Sequence, residues 1–279
     1  LATLIRRARA ENPNGTVLVD SGDLIQGSPL EYVHARINNG PPDPMISAMN
    51  VLGYDAMALG NHEYNYGRKV LEKARHEAVF PWLSANTIDT ATGQPAYTPY
   101  VVKEVQGVRV GILGLTTPGI PYWDDPSNYA GLRFTPAVPE AKKWVQVLRT
   151  TERVDVVIIA MHMGMEADLR TGAPNPGQVP NENAALAIAH EVPGVDAIFM
   201  GHTHRDVPNA VVNGVVLVQA NLWGRHLARV DLFLEQDARR RWRVTAKQSR
   251  TIPVTVDVVP DPAITAMAAS YDQIGRAHV

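Results

Sequence analysis

The chain has 279 residues, 45% of them hydrophobic and 19% charged, with a formal net charge of −2; it is long enough to bury a large core as one globular unit. So small a net charge excludes a long-range field for nucleic-acid polymers or anionic membranes, and any phosphate must be gripped locally by metal ions or aimed donors. The absence of cysteine excludes disulfides, thiolate zinc sites and cysteine nucleophiles, so a metal would rest on His, Asp, Asn or Glu.

No window resembles a membrane span or a secretory leader, and the first residue is Leu1 rather than Met, so a cut or processed N-terminal edge is expected. Residues 1–10 read as a helix with Leu1, Leu4 and Ile5 on one face and Arg6, Arg7 and Arg9 opposite, stopped by Asn12-Pro13-Asn14-Gly15. A strand at 16–19 delivers Asp20 and Asp23 to its tip. Pro29 opens a helix over 30–37, and Pro41-Pro42-Asp43-Pro44 precedes another over 45–52. A short apolar strand, Ala56-Met57-Ala58-Leu59, runs straight into the polar turn 60–67. A helix over 68–78 returns to a strand at 79–83, and the βαβ rhythm is plain.

Residues 100–105 and 108–115 flank Gln106-Gly107 as a hairpin, followed by a Pro/Gly-rich loop over 117–131. An amphipathic helix over 136–149 leads to 154–160, an almost wholly apolar run of the kind that a strand covered on both faces shows, ending at His162. Beyond the loop 171–180, a helix over 182–190 and a strand over 196–200 end at His202. The period then changes to antiparallel β: a hairpin over 211–218, a second pairing 227–234 with 242–250, and a last helix over 262–274. Two sheets packed face to face with helices outside are expected.

Four of these strands end in polar, ligand-bearing turns: Ser21-Gly22-Asp23, Gly60-Asn61-His62-Glu63, Met161-His162-Met163 and Gly201-His202-Thr203-His204. Open α/β folds place their sites above such carboxyl ends. Carboxylate, amide and imidazole together suit a hard or borderline divalent ion, and a carboxylate can bridge two of them. In 202–204 the two rings are expected on the same side of an extended segment. Taken alone, Asp23 reads as a turn carboxylate and His162 as a core histidine; the set gives them a different meaning. Glu63 is read as holding its turn through backbone hydrogen bonds, Trp123 as either lining the cleft or closing the core, with the core preferred, and His34, His76, His190 and His278 as surface residues. The arginines at 239–243 read as a solvated hairpin tip.

Gly22-Asp23, Gly60-Asn61-His62, His162 and Gly201-His202-Thr203-His204, in that order, resemble the motifs of the calcineurin-like metallophosphoesterases. More narrowly, residues 22–30 (GDLIQGSPL), 59–67 and 221–227 resemble the periplasmic 2′,3′-cyclic-nucleotide 2′-phosphodiesterase/3′-nucleotidase branch of the 5′-nucleotidase group. The resemblance implies a four-layer α/β/β/α sandwich of two mixed sheets, one domain over residues 1–279, and two divalent ions (Mn, Zn, Fe or Co). It implies that Asp23 bridges the ions, that Asn61, His162 and His202 complete one, that His204 belongs to the other, and that His62 is the catalytic imidazole. The family's DxH motif does not occur before Asp23, so the resemblance further implies a chain begun after the strand that carries it.

Relatives of the 5′-nucleotidase type pair this histidine with an acid three residues on, where this chain has Asn65; the cyclic-nucleotide branch carries Asn. The implied activity is metal-assisted hydrolysis of nucleotide phosphate esters by a monomer outside the cytoplasm, with a C-terminal base-stacking domain as partner and neither a nucleic-acid polymer nor a membrane. The alternatives are a 5′-nucleotidase or nucleotide-sugar hydrolase on the same scaffold, and a metal-binding fragment without catalysis.

Overall fold

The structure is a computed structural model that describes residues 1–277; His278 lies outside the described residues. In chain order the strands are β1 (Val19–Asp20), β2 (Ala56–Ala58), β3 (Trp82–Leu83), β4 (Thr87–Asp89), β5 (Tyr100–Val105), β6 (Val108–Thr116), β7 (Leu132–Phe134), β8 (Val156–His162), β9 (Ala197–Met200), β10 (Asp206–Val212), β11 (Val215–Ala220), β12 (His226–Gln236) and β13 (Trp242–Pro253). The helices are α1 (Ala2–Glu11), α2 (Pro29–Tyr32), α3 (Pro44–Leu52), α4 (Arg68–Glu77), α5 (Ala137–Thr150), α6 (Ala185–Glu191) and α7 (Pro262–Ala277).

Local chemistry explains where the helices begin. The Asp43 carboxylate accepts the N–H groups of Met45 and Ile46, Pro44 fills the first helical position of α3, and Gly53 closes it in the left-handed region at φ 64°. In α5 the buried residues Ala137, Ala141, Val145 and Leu148 fall on one stripe, while Lys142 and Lys143 point outward. At α6 the Glu166 side chain accepts from Leu186 and Ala187, so a distant carboxylate caps that helix.

The principal sheet has the order β10-β11-β9-β8-β6-β5, with β6, β8, β9 and β11 parallel and the outer strands antiparallel. Every residue of β8 is buried. Val157, Ile159 and Met161 face α5 and α6, while Val156 and Ile158 face the opposite side. This period-two division of one apolar run requires cover on both faces, and each such buried side chain contributes about 1.5–3 kcal/mol.

The opposite side packs against Ala56 and Leu83 of a second sheet, β1-β2-β3, all parallel, and against the long ribbon β12-β13. The outer face of the second sheet carries Met57 and Trp82 into a cluster with Ile46 and Met49 of α3 and Val70, Leu71 and Ala74 of α4. Helices, sheet, sheet and helices therefore stack in four layers.

The two sheets come closest at Gly114 in β6, where a Cβ would stand 2.2 Å from the Leu83 Cβ. Just beyond, the Thr116 hydroxyl donates to the Leu59 carbonyl at 2.9 Å, and Ser84 and Asn86 complete a buried polar tie. The tie aligns the carboxyl ends of β2 and β6, so the loops after both sheets open onto one crevice.

Several expectations are corrected. The strands foreseen at 16–19 and 79–83 pair only over Val19–Asp20 and Trp82–Leu83; Val79 is exposed, because the chain is still turning out of α4 there. The helix foreseen over 30–37 loosens into a π-helical stretch at Val33–Ile37. His34 is buried rather than superficial, 3.7 Å from Asp43, and the buried Glu31 carboxyl nearby is pushed up to about 8 by burial and by the Asp43 charge. His76 and His190 are exposed as foreseen, and at the 239–243 tip Arg241 and Arg243 fold back onto Asp237. The small ribbon β4-β7 was not foreseen at all.

Candidate metal centre

Asp23 and Asn61 arrive from the second sheet, following β1 and β2, and His162 and His202 from the principal sheet, at the end of β8 and just after β9. The Gly22 and Gly60 backbones cross so closely that a Cβ on Gly22 would lie 2.5 Å from the Gly60 nitrogen, and one on Gly60 would lie 2.2 Å from Asp23 Oδ1. Only glycine fits at either crossing. Asp23 itself has φ 66°, a left-handed backbone held by a buried carboxylate: Glu63 accepts the N–H groups of Asp23 (2.9 Å), Leu24 (2.6 Å), Ile25 (3.4 Å) and Gly60 (2.5 Å). Glu63 thus holds not only its own turn but also the loop that carries Asp23.

The four side chains converge. Asp23 Oδ2 is 2.9 Å from His162 Nε2, and Asn61 Oδ1 lies 3.1 Å from both His162 Nε2 and His202 Nδ1. The other ring nitrogens are committed outward. His162 Nδ1 donates to the Ser21 carbonyl at 2.7 Å, and His202 Nε2 donates to Glu182 Oε1 at 2.9 Å. These carbonyl and carboxylate partners only accept, which assigns the outward protons and leaves His202 Nδ1 bare in its neutral ring, whereas the inward His162 Nε2 meets the Asp23 carboxylate and holds a proton unless a cation takes its place.

Two imidazole nitrogens, an amide oxygen and a carboxylate oxygen therefore lie together, each within 3.1 Å of another of the set. The nitrogen-and-oxygen donor set is of the kind that suits Zn, Mn, Fe or Co. Among the described residues no group of three or more His, Asp or Glu side chains is arranged to hold a metal ion, so the set is a candidate by its donor chemistry and not a formed site.

Electrostatics favours positive charge at this point. Burial alone would raise the Asp23 carboxyl, but the charge and hydrogen bond of His162 draw it down to about 2. Burial opposes charge on His162 as well, yet Asp23 carries it above its ordinary value. Burial and the neighbouring His162 push His202 down to about 4, so its ring is neutral at pH 7, as a metal ligand must be.

The remaining foreseen residues sit around this group. The His62 backbone N–H donates to Asp23 Oδ1 at 2.9 Å, and its ring Nδ1 meets Asn65 Oδ1. His204 is exposed, and among the described residues no hydrogen bond joins its ring to the other four. The 202–204 segment is not extended as foreseen: His202 and His204 have φ 68° and 54°, which separates the two rings. Trp123 is 43% exposed, and its ring lies 5.3 Å from that of His202, so it walls the centre instead of closing the core. Glu182 was missed, since nothing in its local sequence marks a carboxylate that acts through a histidine 20 residues away.

The family model described as calcineurin-like phosphoesterase matches residues 1–206. The chain belongs to the calcineurin-like phosphoesterases. This phosphoesterase is 36% identical to the 2′,3′-cyclic-nucleotide 2′-phosphodiesterase/3′-nucleotidase of Salmonella typhimurium, over 91% of the chain and 41% of that protein. It is 35% identical to a 5′-nucleotidase of Vibrio cholerae, over 82% of the chain and 43% of that protein.

Among solved structures it matches the calcineurin-like phosphoesterase YfkN of Bacillus subtilis with a TM-score of 0.86 and 32% identity, over 99% of the chain and 88% of the other. The phosphoesterase thus spans about two-fifths of the length of these curated relatives. The family uses divalent metal ions, and these relatives are named for action on nucleotides.

Proposed function

We propose that the chain is the metal-binding domain of a 2′,3′-cyclic-nucleotide 2′-phosphodiesterase/3′-nucleotidase that works with two divalent ions, outside the cytoplasm and together with a base-stacking C-terminal domain. The observation that carries the reading is the convergence of Asp23, Asn61, His162 and His202 around one point, with His62 fixed beside it. Asp23 would serve both ions, Asn61, His162 and His202 would hold one, and His204 would be a ligand of the other. Bound there, divalent ions supply Lewis acidity toward phosphoryl oxygens and acidify water.

The chain's own residues supply the rest. Glu182 and Ser21 orient the two imidazoles, and Trp123 screens the His202 ring from water. His62, presented by its backbone bond to Asp23 and tied through Nδ1 to Asn65, turns its Nε2 toward the phosphate, takes a proton there and holds it against a phosphoryl oxygen as charge develops. Opening a 2′,3′-cyclic phosphate at the 2′ oxygen leaves a 3′-phosphate, which the same site can then remove.

Asn65, where an acid stands in the other branch, supports the cyclic-nucleotide reading, as does the Salmonella relative. The test is product analysis with 2′,3′-cyclic AMP, 3′-AMP and 5′-AMP, in Mn²⁺ and Zn²⁺, on this chain and on one extended upstream of Leu1. Turnover of the first two supports the reading. A preference for 5′-AMP replaces it with the 5′-nucleotidase reading, and metal binding without turnover in either form reduces it to a binding fragment.

A further inference from the structure

The loop between β6 and β7 touches the site at two adjacent residues. Trp123 lies against His202, and Asp124 reaches the other side, where its Oδ2 accepts Asn65 Nδ2–H at 3.1 Å. Asp124 is itself braced, since its Oδ1 accepts from the Asp125 backbone at 2.8 Å and from Asn128 Nδ2 at 2.7 Å, and the same Asn128 nitrogen lies 3.3 Å from the Asn65 carbonyl. The Asp125 side chain in turn caps the short helical turn Pro126–Tyr129 through Ser127 N–H.

The chemistry of this chain of contacts is directional. A carboxylate only accepts, so Asp124 fixes which end of the Asn65 amide is nitrogen, and the amide oxygen is left facing His62 Nδ1. An oxygen there requires a proton on Nδ1, which leaves Nε2 as the bare nitrogen of the neutral ring. Without Asp124 the amide is free to turn over, and the ring loses its preference.

We propose that Asp124 is a positioning residue that fixes the tautomer and orientation of His62 through Asn65. The carboxylate absent from position 65 is thereby supplied at one remove, from a loop about 60 residues downstream. The inference rests on the reading of His62 as the group that meets the phosphate.

The test compares wild type, Asp124→Ala and the double variant Asn65→Asp/Asp124→Ala, each with its thermal melt recorded. Two readouts are needed: long-range ¹H–¹⁵N spectra of histidine-labelled protein at a pH where the ring is neutral, and kcat and KM on 2′,3′-cyclic AMP. Wild-type His62 is expected to carry its proton on Nδ1. In Asp124→Ala the population moves toward Nε2–H, and kcat falls about 10–100-fold with KM little changed. The double variant places a carboxylate directly on Nδ1, and it restores both the tautomer and most of kcat, which a merely structural role for Asp124 would not allow.

An unchanged tautomer in Asp124→Ala overturns the proposal, as does a double variant that fails to restore it. If the tautomer responds as expected but no nucleotide ester is turned over, the functional reading falls and the positioning role stands.

Discussion

Glu63→Gln is the sharpest test of how the loop carrying Asp23 is held. Glu63 is fully buried and receives four backbone N–H groups, those of Leu24 and Ile25 on Oε1 and those of Asp23 and Gly60 on Oε2. Glutamine keeps the shape but turns one oxygen into an NH₂ that points at two donors. Two buried N–H groups are then unsatisfied, at about 1–3 kcal/mol each, for a loss of about 3–5 kcal/mol. At the low end of about 2–4 °C per kcal/mol for large domains, Tm falls by roughly 6–10 °C.

The same change frees Asp23 from its left-handed backbone, so divalent-ion affinity measured by calorimetry should fall in parallel with stability. Scanning calorimetry of wild type and variant in metal-free buffer gives the stability term directly. A variant that melts within 2 °C of wild type would show that the four bonds do not hold the loop, and the account of Asp23 would fail with them.

Glu182→Ala removes the acceptor that orients His202, and divalent-ion affinity should drop about 10–100-fold in a titration while the melt of the metal-free protein changes little. Gly114→Ala drives a methyl into the Leu83 backbone, 2.7 Å from its carbonyl carbon, and is expected to cost about 3 kcal/mol in chemical denaturation; a neutral result would mean that the sheets can part without penalty. Burial raises the Asp20 carboxyl from its ordinary 3.8 to about 6, so its contribution to stability is full below pH 3.8 and is lost as the pH rises through 6; Asp20→Asn should flatten that part of the stability curve in the metal-free protein.

The readable parts of this sequence are those where one physical signal acts locally. The apolar run ending at His162 announces a strand covered on both faces, and Val157 and Val156 do divide between them. The hairpin around Gln106-Gly107 lies where the turn residues place it. Asp23, Asn61, His162 and His202 were legible because each stands at the end of such a run.

What stayed hidden depends on partners remote in sequence. A cleft-lining role for Trp123 was open but not preferred, and Asp124 gave no sign of reaching Asn65, because both contacts depend on how the loop between β6 and β7 folds back. His34 looked superficial because its helix is short and its burial is made by Asp43, beyond a proline-rich turn. The two left-handed residues at 202 and 204 defeated the reading of an extended segment, since backbone sign cannot be seen in residue type alone.

The donor set straddles the seam between the sheets, with an oxygen pair on one side and a nitrogen pair on the other. An ion seated there would be a rivet through two layers that otherwise meet by apolar packing and a scatter of polar contacts. Its grip is therefore spent on cohesion as well as chemistry: at 100 times its dissociation constant it adds about 2.7 kcal/mol against unfolding. Chelator should lower the melting temperature, and successive additions of metal should raise it logarithmically. Heat resistance and loading would then be one property, read on a single thermometer.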